Sequence, residues 1–221
     1  MTFAENILNF YQSLKITTRL PKGVEVLNPY QYKEVFGYCE EFYHRFYGDQ
    51  KKRKLILGIN PGRFGAGLTG IPFTDPLKLV THCGIVNALP KKGELSADFI
   101  YMMIEAYGGL KKFYTTYYIS SVSPLGFVMN GKNLNYYDQR ELEEALHPFI
   151  VRCLTQQLTF SIDRSVCYCL GEGKNYEFLM KLNQQHQFFK SIVPLAHPRF
   201  IMQYRRRAIN DYIRHYTDTL S

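Results

Sequence analysis

The sequence contains no tryptophan, no CxxC pair and no stretch approaching about 18 uninterrupted apolar residues. The last absence excludes a membrane-spanning helix. The N-terminal stretch "MTFAENILNFYQSLK" carries Glu5 and lacks the basic region, apolar core and cleavage site of a signal peptide. A cytoplasmic protein is therefore expected, nucleoid-associated if the source is bacterial. The five cysteines, at 39, 83, 153, 167 and 169, are odd in number, which argues against a disulfide framework. Cys167 and Cys169 lie in the apolar run "SVCYCL" and are expected to be buried, reduced thiols. With no ligand spacing among Cys or His, neither a metal nor a cofactor is expected.

What is present is a chain of 221 residues, 46% hydrophobic and 21% charged, enough for one α/β domain with a full core. No linker or repeat divides it, and a monomer is expected. Net charge is +8, with basic residues grouped as "KKRK" (51–54), "KK" (91–92), "KK" (111–112) and "RRR" (205–207). Separated basic clusters suit a partner with a phosphate backbone, although solvated surface charge explains them equally well. The 18 Tyr and 16 Phe fill the core and leave some rings for base stacking.

Four short apolar runs have strand character: "KLILGI" (54–59), "FYTTYYIS" (113–120), "SVCYCL" (165–170) and "FFKSIVPL" (188–195). Helical patterns lie between them. Phe3, Ile7, Phe10 and Leu14 define an opening amphipathic helix, and an aromatic-rich helix ends at Gly48. Another runs from Asp138 to about Leu154, with Asp138 as cap and Glu141 completing a capping box, and a last one starts near Gln203. The alternation predicts a three-layer α/β/α fold around a mainly parallel four-stranded sheet. Ligands of such sheets bind at the carboxyl ends of the strands. There the chain places Asn60 and its glycines, "SSVSPLG", "GEG" and "AHPRF".

The glycine loop "GINPGRFGAGLTGIPF" (58–73) is neither GxGxxG nor followed by GK[ST], so a dinucleotide or ATP site is disfavoured. Its G-I-N-P-G-x-F-G-x-x-x-T-G-x-P-F pattern closely resembles the first motif of the uracil-DNA glycosylase superfamily, in its single-strand-selective monofunctional (SMUG-like) branch. The later "AHPR" (196–199) is similar to that family's His-Pro motif. The "NPYQY" lead-in and the "SPL" after the second strand also fall where the family has them, so the resemblance covers nearly the whole chain.

The resemblance implies hydrolysis of the N-glycosidic bond of a damaged base in DNA, without a lyase step, since no Lys stands in the motif. It assigns Asn60 to hold the attacking water and His197 to donate to the leaving base. It also places the backbone around Ile59 against the base, Gly62 where sugar and base enter, and Phe73 stacked on the base. Arg199 is expected to insert into the DNA, Arg205 and Arg206 to meet phosphates, and Lys174 to approach a phosphate from the third loop. The partner is DNA, single-stranded or a lesion-containing duplex.

Two departures from the family pattern stand out. Where the family reads uracil with an Asn after the second strand, this chain has Ser121, a single rotatable hydroxyl. A range widened to deaminated purines such as xanthine and hypoxanthine follows. The His-Pro run is also short, His197-Pro198-Arg199, which predicts a shallow wedge and a preference for single-stranded or distorted DNA. Two other readings remain: a non-catalytic binder of nucleic acid or damaged bases on the same fold, and a nucleoside hydrolase, which would not need the basic clusters.

Overall fold

The computed structural model describes residues 1–221. In chain order its elements are α1 (Phe3–Ser13), β1 (Val24–Leu27), α2 (Lys33–Tyr47), β2 (Arg53–Gly58), α3 (Ala66–Thr69), α4 (Pro76–Thr81), α5 (Leu95–Tyr107), α6 (Leu110–Thr116) and β3 (Tyr117–Ser121). They continue as β4 (Gly126–Met129), β5 (Lys132–Leu134), α7 (Arg140–Gln157), β6 (Ile162–Leu170), α8 (Lys174–His186), β7 (Ser191–Leu195), α9 (Pro198–Tyr204) and α10 (Ile209–Leu220). The main sheet has the order β3-β2-β6-β7 and every pair in it is parallel. The carboxyl halves of its middle strands, Leu55–Gly58 and Cys167–Leu170, are buried and mostly apolar, as helices on both faces of a parallel sheet require. No helix is long and apolar enough to cross a membrane.

Four expectations are corrected in detail. The run expected as a strand over 113–120 begins as a helix, α6, and only Tyr117–Ser121 is extended. Leu110, Phe113 and Tyr114 share a helical spacing that packs the last two into the core, and Thr115 and Thr116 bond back to the Lys111 and Lys112 carbonyls. Asp138 does not cap α7. Its carboxylate instead accepts the Asn135 N–H at 2.8 Å and Nδ2 at 3.3 Å, closing a local turn, and the helix starts two residues later with no capping box. The final helix is two: α9 stops at Tyr204, a short 3-10 turn spans Arg206–Ala208, and α10 follows. Phe188 and Phe189 lie buried before β7 rather than in it.

A second, antiparallel sheet of order β1-β4-β5 has no counterpart in the sequence reading. Its strands are three or four residues long, too short to show a period; β4 is buried while β1 and β5 are partly exposed. Its place matters more than its size, because the β5 end reaches the glycine loop.

The core holds one buried charge of note. Arg53 is 0% exposed, paired with Asp49 at 2.8 Å, bonded to the Tyr114 carbonyl at 2.7 Å and set over the rings of Phe3 and Tyr47. One member of "KKRK" is thus a structural residue, removed from any surface patch.

Candidate active site

The chain leaves β2 at Gly58 and is clamped at once to the end of β3. Val122 N–H donates to the Gly58 carbonyl at 2.9 Å and Ser123 N–H to the Ile59 carbonyl at 3.1 Å. Asn60 comes next, and its amide is held from the second sheet. Its Oδ1 accepts the Tyr136 N–H at 3.0 Å, while Nδ2 donates to the Leu134 carbonyl at 3.2 Å and, more weakly, to that of Pro61 at 3.4 Å. These partners fix which end of the amide is oxygen. One lone pair on that oxygen is left for a ligand or water.

Phe73 closes the same loop with φ +54°, a left-handed conformation that costs energy for an aromatic residue. A Cβ on Gly58 would lie 2.8 Å from its ring, so glycine at 58 is what admits the ring over the end of β2. The ring centroids of Phe73 and His197 are 6.3 Å apart, tilted by 49°.

His197 sits between β7 and α9 and caps the helix, its Nδ1 accepting the Arg199 N–H at 3.1 Å. A nitrogen that accepts carries no proton, so the neutral ring has its hydrogen on Nε2. Burial first, and then the Arg199 charge, push its pKa down to about 4. At neutral pH His197 is therefore an uncharged Nε2–H donor.

Ile59, Asn60, Gly62 and His197 line an open cavity of about 640 Å³. It continues into a narrower recess of about 50 Å³ that adds Phe73 and Ser121. Ser121 is the last residue of β3, with its hydroxyl unpaired, and the neighbouring Ser120 Oγ is buried without a partner. Arg199 stands exposed on the outer cavity wall, and Lys174 lines an adjoining pocket with His197. Arg205 lies over Phe200, 5.3 Å from the ring, and Phe200 itself lines the cavity. Arg206 is the outlier, lining a separate groove with Lys78 and His82.

One residue of the cavity was not singled out from the sequence. Glu94, just before α5, lines both compartments, and its N–H donates to Asp75 Oδ2 at 2.9 Å. A Cβ on Gly65 would fall 1.8 Å from its Oε2, and one on Gly62 3.1 Å from Oε1. Gly62 thus makes room for a neighbouring carboxyl, a use the sequence did not suggest. Burial and then Asp75 raise the Glu94 pKa to about 7, against the opposing charge of Arg199. "KKGEL" carries no spacing signal for it, since it reaches the site only through the packing of the α4–α5 connection.

The family model described as the uracil DNA glycosylase superfamily matches residues 45–221. Among solved structures, wild-type Pedobacter heparinus SMUG2 is 49% identical, with 99% of this chain and 97% of that chain covered at a TM-score of 0.97. No curated protein matches the sequence.

Proposed function

Because the chain belongs to the uracil-DNA glycosylase superfamily and is a DNA glycosylase of base excision repair, we propose that Asn60 and His197 are the pair with which it releases uracil. In this reading a water held on the free lone pair of Asn60 Oδ1 bonds to C1′ of the sugar as the C1′–N bond breaks. The bonding electrons leave with the base, and the water's proton passes to solvent. Negative charge gathers on the base carbonyl, and His197 Nε2–H donates to it without itself being charged. A positioned donor of this kind is worth about a hundred- to thousandfold in rate.

The observation that carries the reading is the pair of backbone clamps, one on each side chain. Leu134 and Tyr136 orient the Asn60 amide, and the Arg199 N–H sets the His197 tautomer. Both groups are held before any ligand arrives, as electrostatic catalysis requires. Phe73 would stack on the base, with Ile59 and Gly62 flanking it. Ser121 meets its edge with a hydroxyl that can donate or accept, which supports acceptance of xanthine and hypoxanthine beside uracil. Without a lysine nucleophile in the loop the reaction ends at an abasic site. Arg199 on the cavity wall, Lys174 in the adjoining pocket and Arg205 over Phe200 suit phosphates, whereas the groove of Arg206 suits a more distant contact.

The test is alkali-revealed strand cleavage of labelled single- and double-stranded oligonucleotides bearing one uracil, xanthine or hypoxanthine. Cleavage of uracil that disappears in Asn60→Ala and falls at least a hundredfold in His197→Ala supports the assignment. Undiminished cleavage in either variant removes that residue from the mechanism, and DNA binding with no cleavage of any lesion favours the non-catalytic binder.

A further inference from the structure

Glu94 is the one carboxylate that lines both compartments of the cavity. It does not come from a strand end like Asn60, Ser121 and His197. It enters from the α4–α5 connection and lies against the glycine-loop wall, its Oε2 filling the space that a side chain at Gly65 would need. The backbone that carries it is fixed: Asp75 holds the Glu94 N–H through Oδ2 and caps α4 at the Lys78 N–H through Oδ1. Neither carboxyl oxygen has a hydrogen-bond partner in the protein, and none of the ion pairs includes it. The side chain is half-buried and its two oxygens stay open to the cavity, so their hydrogen-bonding capacity is free for a ligand that enters it.

Resting on the glycosylase reading above, we propose that Glu94 is a further base-contacting residue, whose carboxyl donates a hydrogen bond to the extruded base from the glycine-loop wall while Ser121 and His197 approach from the sheet. The charged and titratable groups around it are Asp75 before α4, Arg63 on the loop, Lys132 on β5, Tyr137 before α7, and His197, Arg199 and Tyr204 at α9. Burial and Asp75 favour the protonated acid, Arg199 opposes it, and His197 is uncharged near neutrality. The acid supports the electron pair developing on the departing base, whereas the carboxylate repels it. The donor form is lost as pH rises through about 7, so the rate falls on that side.

Single-turnover rates on a single-stranded uracil oligonucleotide, measured from about pH 5.5 to about pH 9, test this with wild type, Glu94→Gln and Glu94→Ala. Thermal melting and binding to lesion-free DNA check that each variant is folded. Wild type should lose rate on an alkaline limb starting near neutrality. Glu94→Gln, whose amide donates at every pH, should lack that limb and stay within about tenfold of the wild-type acid plateau. Glu94→Ala should fall by about a hundredfold at acid pH. An alkaline limb retained in Glu94→Gln overturns the inference, as does a Glu94→Ala rate within about threefold of wild type. So does a wild-type rate that rises through neutrality and loses that rise in Glu94→Gln, since this assigns Glu94 to water deprotonation. These outcomes leave the Asn60–His197 assignment standing. A wild-type protein that cleaves nothing sinks that assignment and this inference together.

Discussion

On the proposed function His197 performs two physical tasks, capping α9 and donating to the leaving base, that can be separated by substitution. Its Nδ1 caps α9 by accepting the Arg199 N–H, and its Nε2–H is free to serve the cavity. Alanine removes both. The lost cap costs about 1 kcal/mol, and the lost donor costs about 2.7–4 kcal/mol of transition-state stabilisation, a hundred- to thousandfold in rate. Asparagine is a strong N-cap and accepts the same N–H, but its short side chain ends before the position of Nε2. His197→Asn should therefore melt within a degree or so of wild type, while His197→Ala melts about 2–4 °C lower. Both variants should cleave a single-stranded uracil oligonucleotide about a hundredfold or more slowly under single-turnover conditions. The low pKa fixes the pH behaviour as well. With His197 pushed down to about 4, its donor form persists across the neutral range, so no loss of rate between about pH 5 and 8 belongs to it. The folded pKa lies below the usual histidine value near 6.5, so the unfolded chain takes up the proton first as pH falls. That contribution to stability is full above about pH 6.5 and declines toward pH 4. Normal cleavage by His197→Asn would refute the donor role. Equal melting of both variants would refute the capping role.

Phe73→Ala should raise KM about tenfold or more with a smaller change in kcat, because base–aromatic stacking is worth about 1–3 kcal/mol per base; steady-state kinetics on single-stranded uracil DNA measure the split. Ser121→Asn, which supplies a fixed donor and acceptor in place of a rotor, should increase the ratio of uracil to hypoxanthine cleavage in paired competition assays. Arg199→Ala and Lys174→Ala should each reduce the salt slope of DNA binding by about one, read from fluorescence anisotropy across a salt series, whereas Arg206→Ala, in its separate groove, should change it less. Asp49→Asn leaves the fully buried Arg53 guanidinium without its anion and should lower stability by about 1–3 kcal/mol in urea melts, below the full cost of breaking a buried pair because Asp49 is itself 37% exposed. Although burial raises the Asp49 pKa, hydrogen bonds from Arg53 and Lys51 lower it on balance, so its contribution is present at neutral pH and is lost only as pH falls through the folded value.

How far the sequence disclosed this site depends on how each residue reaches it. Asn60, Ser121 and His197 stand at the ends of apolar runs, and a parallel sheet brings strand ends together whatever the exact helix boundaries. Their convergence therefore holds although residues 113–116 are helical and Asp138 caps no helix. What could not be read is what holds them. The Asn60 amide is oriented by the carbonyl of Leu134 and the N–H of Tyr136, backbone groups that any residue would supply and that leave no mark in composition or period. The three-residue β5 strand that delivers them is too short to announce itself. Glu94 is the opposite case: a side chain with chemistry of its own, placed by an N–H contact to Asp75 and accommodated by two glycines more than twenty residues earlier. A glycine-rich loop is legible as an invitation for close approach, but glycine does not name its guest. Here Gly58 admits the Phe73 ring and Gly65 admits the Glu94 carboxyl, so part of the space the loop leaves is taken by the protein itself. Gly65→Ala should then act at a distance, driving Glu94 off the cavity wall and reproducing the loss of rate of Glu94→Ala without touching a base. If Gly65→Ala, folded by melting, kept wild-type rate and alkaline limb, the Glu94 carboxyl would reach the base from another rotamer and the role given to Gly65 would fall.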